Sequence, residues 1–212
     1  MRVVIIDYQT GNIRSVARSI ELLGGEYLLT RDIDEIQRAD RLILPGVGGF
    51  RQGMDQLREF GLVKVMKEQA TEGKPILGIC LGMQLFADWS EENGGIEGLG
   101  LISGKVIRFP DRKQLRVPHM GWNDITFKRN EPLFSGIPQG ADFYFCHSYH
   151  FQCRDDQEVV ATVEYGGAAV CAVKRQNVIG VQFHPEKSFK HGERLLANFL
   201  ENRSSAAGGG DA

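Results

Sequence analysis

Missing from this sequence are the runs and clusters that mark several large functional classes. The apolar run at the start, Val3 to Ile6, has four residues, where a membrane span needs about 20. The small-residue cleavage site of a secretory leader is also lacking, so export is not expected. Lys and Arg number 25 against 27 Asp and Glu, a net charge of −2 without any basic block. Neither a nucleic-acid face nor a membrane-binding face is expected from that balance. Cysteine is sparse. Cys80, Cys146, Cys153 and Cys171 stand at irregular spacing with no metal-knuckle pattern, as reduced thiols of a cytoplasmic protein would. The five histidines are dispersed, and no metal centre is expected. There is no internal repeat and no interdomain linker.

What is present is enough for one domain. A chain of 212 residues buries roughly 70% of its unfolded surface without needing a staple. Strand-like and helix-like pieces alternate from the start. Val3 to Ile6 reads as a central parallel strand ending in Asp7. Ile13, Val16, Ala17, Ile20 and Leu23 recur at helical spacing, stopped by Gly24-Gly25. Tyr27 to Leu29 reads as a strand, Asp32 to Arg38 as a short polar crossover with Ile33 and Ile36 inward, and Leu42 to Leu44 as a third strand. Helical spacing returns through Met54, Leu57, Leu62, Val63 and Met66. The pattern predicts an α/β fold, an open mostly parallel sheet with helices on both faces.

The second half has the texture of a smaller antiparallel region. Leu101 to Phe109 is mostly strand-like, Val117 to Asn123 interrupts, and Ile125 to Phe127 resumes. Further strands are expected at 143–146, 159–163, 168–173 and 178–183, with a hairpin turn at Arg175-Gln176-Asn177. A helix through Arg194 to Leu200 closes the domain, expected over 1–203. The small-residue stretch 204–212 is expected to be a frayed tail.

Three stretches carry candidate chemistry. In Gly78-Ile79-Cys80-Leu81-Gly82-Met83-Gln84 a buried strand gives way to a helix at Cys80. Flanking glycines fit a sharp strand-turn-helix that lifts a nucleophile clear of the sheet, and a helix N-terminus there favours a thiolate. Alone, the short G-x-C-x-G pattern fits a small buried hydrophobe at Cys80 better than a nucleophile. His184-Pro185-Glu186 follows the 178–183 strand. If that strand runs parallel to the one before Cys80, the histidine can exchange a proton with the thiol and the carboxylate can orient the ring; otherwise these are loop residues after a strand. Pro45-Gly46-Val47-Gly48-Gly49 lacks both the lysine of a P-loop and a dinucleotide spacing. It fits an oxyanion loop whose backbone N–H groups can approach a developing negative oxygen, or a plain tight turn.

Together, the Cys80 elbow and His184-Pro185-Glu186 resemble the class I, triad-type glutamine amidotransferases. Several further stretches resemble one branch, the glutaminase subunits of imidazole glycerol phosphate synthase. They are Asp7 to Ile13, Pro45 to Gly48, Pro118 to Asn123, Tyr144 to Tyr149 and Gln182 to Ser188. These matches cover nearly the whole chain.

The resemblance implies hydrolysis of L-glutamine to glutamate and ammonia through a glutamyl thioester, without a cofactor. It makes Cys80 the nucleophile, His184 the general base and acid, and Glu186 the carboxylate that orients the ring. The N–H of Leu81 would be one oxyanion donor. The N–H of Val47 would be the second after a peptide reorientation for which Gly46 and Gly48 give room. Gln84 would help hold the substrate. The implied partner is a cyclase with a (β/α)8 barrel, forming a heterodimer through which ammonia passes. His119, Trp122, Tyr144, His147 and Lys187 are the candidates for its interface, with internal packing as the other reading of the aromatics. Gln9, Thr10, Cys146, His150 and Phe189 depart from the family pattern. They leave open a paralogous partner in polysaccharide-sugar synthesis, and a noncatalytic docking role stays open as well.

Overall fold

The computed structural model describes residues 1–111 and 115–201. The expected tail, 204–212, and the expected domain end at 203 lie outside the described residues. In chain order the parallel half is β1 (Val3–Ile6), α1 (Ile13–Leu22), β2 (Tyr27–Thr30), α2 (Ile33–Arg38), β3 (Arg41–Leu44), α3 (Phe50–Glu59), α4 (Leu62–Thr71), β4 (Ile76–Ile79) and α5 (Leu81–Gln84). There follow β5 (Trp89–Ser90), β6 (Ile96–Glu97), β7 (Gly104–Arg108), β8 (His119–Phe127), β9 (Asp142–His147), β10 (Tyr149–Cys153), β11 (Val159–Glu164) and β12 (Ala168–Arg175). The chain then returns through β13 (Val178–Val181) and α6 (Phe189–Glu201).

The sheet runs β2-β1-β3-β4-β13-β12-β10-β7-β5-β6, with β11 joining β12 to β8, and β8 pairing β9. Strands β2, β1, β3, β4 and β13 are mutually parallel, and antiparallel pairing begins at β12. Two cores lie on the two faces, and the period of the strand sends alternate residues to each. Val3 and Ile5 pack with Ile13, Val16 and Ile20 of α1 and with Leu195 and Phe199 of α6. Val4 and Ile6 pack with Ile36 of α2, Met54 and Leu57 of α3, and Val65 and Met66 of α4. No helix among the described residues is long and apolar enough to cross a membrane.

Four expectations need correction. Ile33 is exposed, and only Ile36 of its helix is buried. The helical run through Met54 and Met66 is two helices, because Gly61 adopts φ +67° between them; a left-handed residue cannot continue a right-handed helix. The stretch Val117 to Asn123 does not interrupt a strand, since β8 is continuous from His119 to Phe127. Its inward positions include His119, Gly121 and Asn123, while Met120, Trp122 and Asp124 face out, so apolar alternation is hidden by polar and small residues inside. Finally, β10 is a strand that the sequence pattern does not predict.

Candidate active site

Strands β4 and β13 are parallel neighbours, in register from Val178 opposite Ile76 to Val181 opposite Ile79. The residues that follow them, Cys80 and Gln182-Phe183-His184, therefore leave the sheet at the same edge. Cys80 is held at φ +54°, ψ −108°, a conformation that costs a side-chain-bearing residue on the order of 1–3 kcal/mol. Its N–H is fixed to the Val181 carbonyl at 2.8 Å. Gly82 is required two residues on because a Cβ there would overlap the Leu44 carbonyl oxygen. The expected helix after Cys80 is short, ending at Gln84, so its dipole is a smaller influence on the sulfur than a full helix would be.

A larger influence is His184, 1% exposed. Its Nδ1 lies 2.8 Å from Glu186 Oε1, which leaves the other ring nitrogen for sulfur. Burial disfavours the charged ring, but hydrogen bonds to Cys80 and to Glu186 outweigh it and lift the His184 pKa to about 10. An imidazolium beside a cysteine favours the thiolate. Asn12, itself at φ +78°, donates from Nδ2 to Glu186 Oε1 at 2.5 Å and stands 3.3 Å from His184 Nδ1. Sequence reasoning gives Asn12 no role, although it sits in the opening motif. The backbone of His184 is tied to β9: its N–H donates to the Tyr144 carbonyl at 2.9 Å. The Ser188 hydroxyl bridges the same two residues, donating to His184 O at 2.6 Å and accepting from Tyr144 N at 3.1 Å.

The glycine-rich loop follows β3 and faces Cys80. Tyr8 donates to the Pro45 carbonyl at 2.7 Å, with its own pKa raised by burial. The carbonyl of Gly46 accepts the Leu81 N–H at 3.3 Å, and a Cβ on Gly46 would overlap the Tyr8 hydroxyl. Downstream, Glu92 Oε2 accepts the Phe50 N–H at 2.5 Å. Between these fixed ends Gly48 is at φ +109°. A cleft of about 370 Å³ opens here, lined by Val47, Cys80, Gln84, Tyr149, His184 and Lys187. Both amide hydrogens of Gln84 are taken, by the Tyr149 carbonyl and by Gln182 Oε1, each at 2.9 Å. Gln84 therefore offers an incoming molecule only its oxygen, an acceptor for an N–H group.

The interface candidates divide in two. His119 and His147 are buried, at 3% and 7% exposure, and face each other across β8 and β9, so their side chains do not reach the surface. Trp122 is half-exposed and lies edge-on to Tyr144, with ring centroids 6.0 Å apart. Lys187 Nζ stands 5.4 Å over the Tyr144 ring. Phe189 and Met120, which sequence reasoning does not place in this group, are exposed beside them. Phe189 stacks on Trp122 at 5.1 Å and 4°, from a left-handed backbone at φ +45°.

A family model described as "Glutamine amidotransferase class-I" matches residues 4–202. The chain is 43% identical to imidazole glycerol phosphate synthase subunit HisH 1 of Campylobacter jejuni (strain RM1221), covering 93% of this chain and 98% of that one. It is 47% identical to the HisH subunit of Moorella thermoacetica over 94% of both chains. It is 48% identical to that of Geobacillus sp. (strain WCH70), over 92% and 94%. Among solved structures, PurLQS from Thermotoga maritima superposes with a TM-score of 0.71 at 21% identity, over 94% of this chain and 97% of that one. A glutamine amidotransferase from the same organism gives 0.64 at 17%, over 94% and 82%. The fold is shared with these solved structures, the sequence is close to the HisH subunits, and the chain belongs to the class I glutamine amidotransferase family.

Proposed function

We propose that this chain is the glutaminase subunit of an imidazole glycerol phosphate synthase, hydrolysing L-glutamine and delivering the ammonia to a cyclase subunit. The observation that carries the reading is the line Cys80–His184–Glu186 at one sheet edge, with Glu186 2.8 Å from the imidazole. The thiolate of Cys80 attacks the carboxamide carbon of glutamine. His184, as imidazolium, gives its proton to the departing ammonia, leaving a γ-glutamyl thioester. Neutral His184 then takes a proton from water as the water attacks the thioester carbonyl. The tetrahedral intermediate expels the sulfur, glutamate leaves, and the thiolate–imidazolium pair of Cys80 and His184 is restored. Glu186 holds the ring orientation throughout, and Asn12 holds Glu186. Gln84 accepts from an N–H of the substrate, the one polar role its bonding leaves.

The oxyanion requires donors that the resting loop withholds. Leu81 N–H is bonded to the Gly46 carbonyl. Turning the Gly46–Val47 peptide over removes that carbonyl and brings the Val47 N–H round beside the Leu81 N–H. Tyr8 and Glu92 hold the loop's ends at Pro45 and Phe50, so the change is confined to the segment between. Such a step keeps hydrolysis low until a partner favours the turned state.

The partner is a (β/α)8 cyclase seated on the outward side of β8 and β9, where Met120, Trp122, Tyr144, Lys187 and Phe189 meet. Exposed apolar side chains gathered in one place are the mark of such a surface. The compartment is the cytoplasm, which keeps the four free cysteines reduced. Glutamate release tests the reading, measured for the chain alone and with its cyclase plus the cyclase's ribotide ligand. Stimulation by the liganded cyclase that Cys80→Ser abolishes is the expected result. No release from a folded, stoichiometric complex would refute it.

A further inference from the structure

One hydrogen-bond chain connects the sulfur of Cys80 to strand β8. Gln182, immediately after β13 and 0% exposed, places Nε2 3.7 Å from Cys80 Sγ. Its Oε1 accepts from Gln84 Nε2 at 2.9 Å, and the same Gln84 nitrogen donates to the Tyr149 carbonyl at 2.9 Å. That carbonyl also takes His147 Nδ1 at 2.8 Å. His147 Nε2 lies 3.2 Å from His119 Nδ1, and His119 Nε2 3.5 Å from Asn123 Nδ2.

Every group in the chain has its direction set by one atom. A carbonyl oxygen only accepts, so Tyr149 O forces Gln84 to present its NH2 and His147 to carry its proton on Nδ1. Outward, His147 Nε2 must accept, so His119 carries its proton on Nδ1 and accepts from Asn123 on Nε2. Inward, Gln84 gives its second hydrogen to Gln182 Oε1, which leaves Gln182 Nε2 facing the sulfur. Charged imidazoles would donate from both nitrogens and break the order. Burial keeps both rings neutral, lowering His147 to about 3 and His119 to about 4.

We propose that Gln182 stabilises the Cys80 thiolate by donating an amide hydrogen to it, and that Gln84 and the Tyr149 carbonyl are positioning groups that prevent the Gln182 amide from turning its oxygen to the sulfur. A freely rotating amide would present oxygen, which repels a thiolate, as readily as nitrogen. This deepens the glutaminase reading, since it concerns the same sulfur. His184, beyond β13, and Tyr8, beyond β1, interact electrostatically with Cys80, and Glu92, Cys146, His147 and Lys187 line the same cleft; Gln182 acts in addition to them and is uncharged itself.

The test is the pH profile of Cys80 alkylation by iodoacetamide in the full chain without glutamine, read by site-resolved mass spectrometry. Gln182→Met keeps the side chain's length and removes the donor. Its alkylation midpoint is expected about one pH unit higher, so that labelling below the midpoint slows about tenfold. Gln84→Met leaves Gln182 in place but frees its amide, and its midpoint is expected to rise by a smaller amount. The double variant is expected to match Gln182→Met alone, because Gln84 acts only through Gln182. A midpoint unchanged in whichever single variant folds, or additive shifts in the double variant, would overturn the proposal. Alkylation reports the sulfur and not turnover. A chain that shows these shifts but releases no glutamate in a folded, stoichiometric complex with its liganded cyclase would refute the glutaminase reading and leave this one standing.

Discussion

The backbone N–H of Leu81 donates to the carbonyl oxygen of Gly46 at 3.3 Å, so a donor expected at the oxyanion is occupied by the very peptide that must turn over to supply the second. On the proposed roles of Leu81 and Val47, the resting chain is self-blocked at the place where negative charge develops. Val47→Pro removes the second N–H altogether. Losing one such donor costs about 10²–10³ in kcat, and that is the expected loss in steady-state glutamate release with the cyclase bound. Iodoacetamide should still alkylate Cys80 at the ordinary rate. A kcat within a factor of about three of the unsubstituted complex would remove Val47 from the hole.

Backbone strain at Cys80 gives a stability prediction of unusual sign. Glycine normally destabilises relative to alanine by about 0.5–1 kcal/mol, but at φ +54° alanine carries a penalty that glycine does not. Cys80→Gly should therefore unfold at higher urea than Cys80→Ala, by about 1 kcal/mol in stability. The reverse order would mean that the strand-turn-helix relaxes once the thiol is gone.

Two sets of histidines should pull on stability at opposite ends of the pH scale. His184 is raised from 6.5 to about 10. Its contribution is fully present below pH 6.5 and is lost as pH rises through 10. His119 and His147 are lowered to about 4 and about 3. Their contribution is present above pH 6.5 and is lost as pH falls through those values. Urea unfolding across this range should show a stability advantage over His184→Gln that declines between pH 6.5 and 10. A flat difference there would contradict the charged-ring assignment.

Much of this arrangement is legible in the sequence, and its limits are instructive. The strands β1, β3, β4 and β13 are short apolar runs buried on both faces, which periodicity finds readily. The elbow at Cys80 announces itself through Gly78 and Gly82, whose Cβ positions are filled by Phe86 and Leu44. Strand β8 is hidden because its inward face carries His119 and Asn123, which serve the hydrogen-bond chain instead of the core. Asn12 and Gln182 lie in stretches that resemble the family, but nothing in their local pattern assigns either a role. The first meets Glu186 across 174 residues and the second meets Cys80 across 102, relationships that only the parallel pairing of β4 and β13 and the docking of the opening loop create.

The stacked pair Trp122 and Phe189 is the expected anchor for the cyclase. Phe189 is 75% exposed from a left-handed backbone, an arrangement with little to recommend it in a free chain. Trp122→Ala should weaken cyclase binding in calorimetry by about 2 kcal/mol, roughly thirtyfold in Kd, while leaving the pH profile of Cys80 alkylation unchanged. Equal affinity would place the interface elsewhere.

Acid-quench peptide mass spectrometry during glutamine turnover by the liganded complex tests the central claim most directly. The account predicts a γ-glutamyl group on Cys80 that disappears when glutamine is exhausted and is absent from Cys80→Ser, together with loss of glutamate release in that variant. Glutamate release that continues undiminished in Cys80→Ser, with no adduct on Cys80 in the unsubstituted chain, would contradict it.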